Sequence, residues 1–155
     1  MTRSAALARL ADYWHTLTPA TVEAIATMYI DDAYFRDPFN EVTGVEKIRH
    51  IFADMFERLH EPRFTIIETI EQGHGEAHEE AHREAHSALL IWNFTFRLKT
   101  LKPEMTRKIH GTSHIRFAAD GRVQYHRDYW DAAGELYEQL PVVGTLMRYL
   151  KKRAA

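Results

Sequence analysis

Ala6, Leu7, Leu10, Tyr13, Trp14 and Leu17 recur at helical spacing behind Ser4, a good N-cap residue, and predict a first helix. Thr18-Pro19 predicts a second helix, with Thr18 as its cap, Pro19 at the first helical position, and Val22, Ile25, Ala26 and Tyr29 as its apolar face. Asp31-Asp32 is expected to end it. Residues 34–39, Tyr-Phe-Arg-Asp-Pro-Phe, then read as a short strand that Pro38 keeps from turning helical. Thr43 and Glu46 have capping-box spacing. They open a predicted third helix that turns Val45, Ile48, Ile51, Phe52, Met55, Phe56 and Leu59 inward and closes at Pro62.

After Pro62 the period changes from helical to alternating. Strands are predicted over 63–70, 88–99, 106–118 and 122–130, and Ala119-Asp120-Gly121 joins the last two as a hairpin. Trp92, Phe94 and Phe96 alternate with Asn93, Thr95 and Arg97, so one face is aromatic and the other polar. From Ala132 a helical pattern returns, is interrupted at Pro141, and continues over 142–153 with Val143, Leu146, Met147 and Leu150 on one side. Helices followed by mainly antiparallel strands define an α+β domain, in which a curved sheet facing a helix encloses an apolar pocket.

Composition narrows the partners. At 155 residues, 45% hydrophobic and 27% charged, the chain is expected to fold as a single domain over 1–155. A net charge of −2 argues against nucleic acid as the partner. The absence of cysteine excludes disulfides and thiolate chemistry. No apolar run reaches membrane-spanning length and the N-terminus lacks the apolar core of a signal peptide, so a cytoplasmic protein without integral membrane association is the expectation.

Several residues are candidates for chemistry. Asp37 lies between aromatic residues, where burial would favour its neutral form and suit a general base; the plainer alternative is a turn residue bonded to nearby backbone. Gln124, His126, Asp128 and Trp130 share one strand face by the two-residue period, whereas Arg127 and His114 have the outward parity. His74, His78, His82 and His86 recur every four residues within 72–87. On a helix such spacing could hold a transition metal, but the Glu-Ala-His repeats read more simply as a solvated insertion, so no metal or cofactor is called for.

The run Asp31-Asp32-Ala33-Tyr34-Phe35-Arg36-Asp37-Pro38, with Tyr13 placed 24 residues before Asp37, resembles the ketosteroid isomerase and SnoaL-like group of the nuclear transport factor 2-like superfamily. The strand of Trp92, Phe94 and Phe96 and the hairpin of Ile115-Arg116-Phe117 with Asp120-Gly121-Arg122-Val123 are similar to that group as well. The resemblance implies a cone-shaped antiparallel sheet wrapped on the N-terminal helices, with 132–153 as a helical extension, and a homodimer. It implies that Asp37 is the base, with Tyr13 and Ser113 holding an oxyanion; Ser113 stands where the isomerases carry a protonated Asp. Asp128 resembles the acid–base Asp of the aldol cyclases. Asp37 with His126 and His110 resembles the scytalone dehydratase arrangement. The implied ligand is a small, largely apolar, steroid- or polyketide-like molecule walled by Trp14, Tyr34, Phe39, Phe52, Phe56, Trp92, Phe94, Phe96 and Trp130. The implied chemistry is that of an isomerase, cyclase or dehydratase. A non-catalytic binding or protein-interaction module is the alternative.

Overall fold

The computed structural model describes residues 3–71, 86–100, 102–139 and 141–154. His74, His78 and His82 lie outside them. The first helix, α1 (Arg3–His15), buries Ala6, Leu7, Leu10, Tyr13 and Trp14, as its spacing requires. The second helix is much shorter than its pattern. A 3-10 turn (Val22–Ala24) runs into the single-turn α2 (Ile25–Met28), and Tyr29 already begins β1 (Tyr29–Arg36). Thr18 and Thr21 bond each other here and cap no helix, and Asp31-Asp32 lies within the strand. Tyr29, Ala33 and Phe35 point inward, the alternation of a strand. A short β2 (Glu41–Thr43), which the pattern did not announce, folds back on β1.

Gly44, not Thr43, caps the helix α3 (Val45–Arg58). It stands at φ 112°, open only to glycine at little cost, and its N–H donates to the Ala33 carbonyl at 2.9 Å. Helix α3 buries Val45, Ile48 and Phe52 and ends at Arg58, four residues before Pro62. Pro62 sits inside β3 (Leu59–Glu71), where the pairing register slips between His60 and Arg63. A residue without an N–H is tolerated at such an irregularity.

The remaining strands are β4 (His86–Leu98), β5 (Arg107–Phe117) and β6 (Val123–Trp130). The six described strands form one curved, unclosed sheet in the order β2-β1-β6-β5-β4-β3. Every pairing is antiparallel except β1 with β6, which is parallel and sets Phe35 beside His126. Helices α1 and α3 pack on the inner face, through β3 and β4 and through β1 and β3 respectively. Beyond β6, Asp131 caps α4 (Ala132–Glu135) by accepting from the Gly134 N–H, a 3-10 turn (Tyr137–Gln139) follows, and α5 (Pro141–Ala154) completes the chain described.

Candidate active site

Strand register places the polar inner-face residues together. Ser113 of β5 stands directly opposite Asp128 of β6, and Ile115 opposite His126. Trp92 of β4 faces Gly111, one inward position from Ser113, so its indole reaches diagonally across. Gly111 also pairs with Trp130. Any Cβ there would run into the Trp92 ring, so the missing side chain is what lets the indole lie across β5.

These positions build a continuous hydrogen-bond chain. Trp92 Nε1 donates to Ser113 Oγ at 2.8 Å, and Ser113 donates to Asp128 Oδ1 at 2.5 Å. From the other side, Tyr29 Oη meets His126 Nδ1 at 2.6 Å, and His126 Nε2 meets the same Asp128 Oδ1 at 2.8 Å. The Asp128 carboxylate can only accept, so His126 Nε2 carries the hydrogen of that bond and Nδ1 is the ring's acceptor, to which the Tyr29 phenol donates. Burial first, then the nearby Asp128 charge, hold that phenol well above its ordinary range. Two donor arms therefore converge on one carboxylate oxygen. Asp128 Oδ2 receives no hydrogen bond from the described residues.

Ser113 and His126 are 3% and 2% exposed, and the Asp128 side chain 12%, which makes Asp128 the member of the chain that opens outward. It lines a cavity of about 440 Å³ between α3 and the sheet. Phe39, Phe52, Trp92, Phe94, Phe96 and Trp130, all expected as ligand residues, wall this cavity, and so does Asp37. Phe64, Leu98, Ile109 and Leu136 complete an apolar lining, with Asp54 and Arg58 as charged members besides Asp37 and Asp128. The size and the mostly apolar wall suit a small organic molecule.

Other expected residues lie elsewhere. Tyr13 is buried but does not line this cavity; its hydroxyl donates to the Val22 carbonyl at 3.3 Å, and burial raises its pKa. Tyr13 and Ser113 therefore do not converge on one point: the Ser113 hydrogen is spent on Asp128. Trp14 packs deeper, against Phe52, Phe64 and His126, around a remnant void of about 10 Å³. Tyr34 stacks on Tyr125 and bonds Glu41, and Phe56 borders a separate groove with Leu59 and Pro62. His110 is exposed and paired with Asn93, away from His126. Arg127 and His114 contact the tyrosines Tyr129 and Tyr125, which lie on the strand face opposite His126.

Asp37 follows β1 in a tight turn. Its Oδ1 accepts from the backbone N–H of Phe39 (2.7 Å) and Asn40 (2.6 Å), and the Asn40 amide spans both oxygens. This is the local Asx geometry that Asp before Pro favours. It leaves a half-buried carboxylate at the cavity wall with its lone pairs largely taken. His86, the one described member of the histidine repeat, stacks on Phe117 at the start of β4 and lies beside Glu71. Among the described residues no cluster of three or more potential metal ligands occurs.

Sequence reasoning missed Tyr29. Its signal was there, in the inward parity that it shares with Ala33 and Phe35, but the helical spacing of Val22 and Ile25 masked it.

A curved, open α+β sheet packed on α1 and α3 is the fold of the ketosteroid isomerase-like and nuclear transport factor 2-like proteins. Residues 10–126 match the SnoaL-like domain, and the chain belongs to that family. Solved structures agree on the fold. A ketosteroid isomerase-like protein from Catenulispora acidiphila, in complex with trimethylamine, shares 15% identity at a TM-score of 0.63, covering 84% of this chain and 88% of that one. An LEH-like epoxide hydrolase from M. tuberculosis shares 13% at 0.63, covering 96% and 97%. A nuclear transport factor 2-like protein of unknown function from Exiguobacterium sp. 255-15 shares 16% at 0.57, covering 84% and 98%. No curated protein matches in sequence. Among the described residues no helix is long and apolar enough to cross a membrane.

Proposed function

We propose that the protein binds a small, largely apolar, ring-containing molecule in the 440 Å³ cavity and moves a proton on it through Asp128. The observation that carries this reading is the convergence of Ser113 and His126 on Oδ1 while Oδ2 accepts nothing from the described residues. A carboxylate held this way has one oxygen for orientation and one for substrate. Removing a proton next to a carbonyl, as an isomerase, aldol cyclase or dehydratase does, leaves the proton on Asp128 Oδ2. Returning it to another atom of the same molecule completes the cycle, and no cofactor is needed. That the same fold serves an LEH-like epoxide hydrolase supports an enzymatic use of the cavity. Tyr29 acts through His126, holding its tautomer and ring orientation.

The test is proton exchange. An α-tetralone, a planar aromatic ketone, incubated in D2O with the protein should exchange its α-protons faster than in buffer, read by proton NMR. Asp128→Asn should abolish the excess rate while Asp37→Asn keeps most of it. No exchange above buffer, or exchange that survives Asp128→Asn, overturns the assignment.

A non-catalytic binder of the same class of molecule is the second reading, favoured by the saturation of the Asp37 carboxylate. Its signature is quenching of the Trp92 and Trp130 fluorescence by a naphthol without any exchange. The outer-face stack of Tyr34 on Tyr125, with Arg116 held 4.1 Å above the Tyr125 ring, supports a homodimer formed through that face.

A further inference from the structure

Helix α5 is mounted with its polar side inward. Gly144 lies against the Glu138 carbonyl so closely that any Cβ would collide with it. Arg148 Nη1 donates to the same carbonyl at 3.0 Å, and Lys151 Nζ pairs with the Glu138 carboxylate at 2.6 Å. Gly144, Arg148 and Lys151 fall on one side of a helix. The opposite side carries Val143, Leu146, Tyr149 and Leu150, which are 40%, 53%, 52% and 48% exposed. An amphipathic helix ordinarily buries that stripe against its own domain. Here the main neighbour of α5 is the 3-10 turn holding Glu138.

Charge selects the occupant. The helix holds Arg148, Lys151, Lys152 and Arg153 and no acidic residue, although the whole chain carries a net −2. Arg153 reaches back to the Tyr149 hydroxyl at 2.7 Å, which places a cation and a phenol at the margin of the apolar stripe. Apolar residues flanked by cations and a tyrosine match the boundary between acyl chains and anionic headgroups, where long basic side chains extend to the phosphates. A second copy of the chain would instead have to offer an apolar patch with acidic residues facing Lys152 and Arg153, since Arg148 and Lys151 are held by Glu138.

We propose that α5 is a peripheral membrane-docking helix that lays Val143, Leu146 and Leu150 into the surface of an anionic bilayer. The experiment is flotation of the full chain with phosphatidylcholine vesicles, with and without phosphatidylserine, at low and high salt. The protein should float with the anionic vesicles, and salt should release it. Leu146→Glu with Leu150→Glu should abolish flotation. Lys152→Glu and Arg153→Glu should each weaken it roughly fivefold or more. Circular dichroism confirms that each variant is folded, and since these side chains are exposed, the fold should hold. Absence of flotation, or flotation indifferent to the leucine substitutions, overturns the proposal. A mass in sedimentation velocity that halves with Leu146→Glu also overturns it, because the stripe is then covered by a second copy.

Discussion

Replacing Tyr29 by Phe removes one oxygen from a fully buried position and little else. The ring can stay, together with its stacking on His126 at a centroid distance of 6.0 Å. What is lost is the 2.6 Å bond to His126 Nδ1, and Nδ1, on a side chain only 3% exposed, is left without a donor or room for water. A net hydrogen bond is worth about 1 kcal/mol, and orphaning a buried acceptor raises the cost toward about 3 kcal/mol. Tyr29→Phe should therefore destabilise the fold by about 1–3 kcal/mol. In a chain of this size the midpoint should fall by roughly 2–4 °C for each kcal/mol. Urea unfolding of four proteins, the wild type, Tyr29→Phe, His126→Leu and the double variant, isolates the pair. With His126 already gone, the Tyr29 hydroxyl is itself the orphan, and Phe at 29 should cost nothing or stabilise. Nitrogen NMR should also show Nδ1 as an acceptor in the wild type. Equal costs in both backgrounds would refute the argument, since the loss would then be one of packing and not of the Tyr29–His126 bond.

Two further outcomes follow from the same geometry. Gly111→Ala should displace the Trp92 indole, break its bond to Ser113 and destabilise by about 1–3 kcal/mol, with a changed tryptophan emission as the readout. At alkaline pH, the Tyr29 phenol keeps its proton in the fold above the ordinary value of 10.0 while the unfolded chain ionises there. The native state then binds more protons than the unfolded one, so stability falls as pH rises past 10, by about 1.4 kcal/mol per pH unit for a fully buried group. Denaturation midpoints between pH 9 and 11 (roughly the phenol range) should slope down in the wild type and less steeply in Tyr29→Phe.

The two-residue alternation within each long strand is a local property, and it was legible without coordinates. It put His126, Asp128 and Trp130 on one face and Trp92, Phe94 and Phe96 on another, and these are the residues that wall the cavity or support it. Helices α1 and α3 were equally legible, because each has to bury one stripe whatever it packs against. The pairing of Tyr29 with His126 was not: the two are 97 residues apart, and their contact depends on β1 lying parallel to β6 in one register. Nor could periodicity tell that Pro62 falls in a strand irregularity, or that Gly111 makes room for the Trp92 ring. Asp37 shows the limit most plainly. Its type and its Pro neighbour fit a buried base and a turn alike, and the backbone path through Phe39 and Asn40 filled its oxygens with N–H donors. Composition and period act along the chain, so the sequence alone established which side chains share a face of a strand or helix, although Tyr34 and Phe56 turned out to lie outside the cavity. Which of them touch depends on loop closure and strand register over long separations, and those arise only when the whole sheet is assembled.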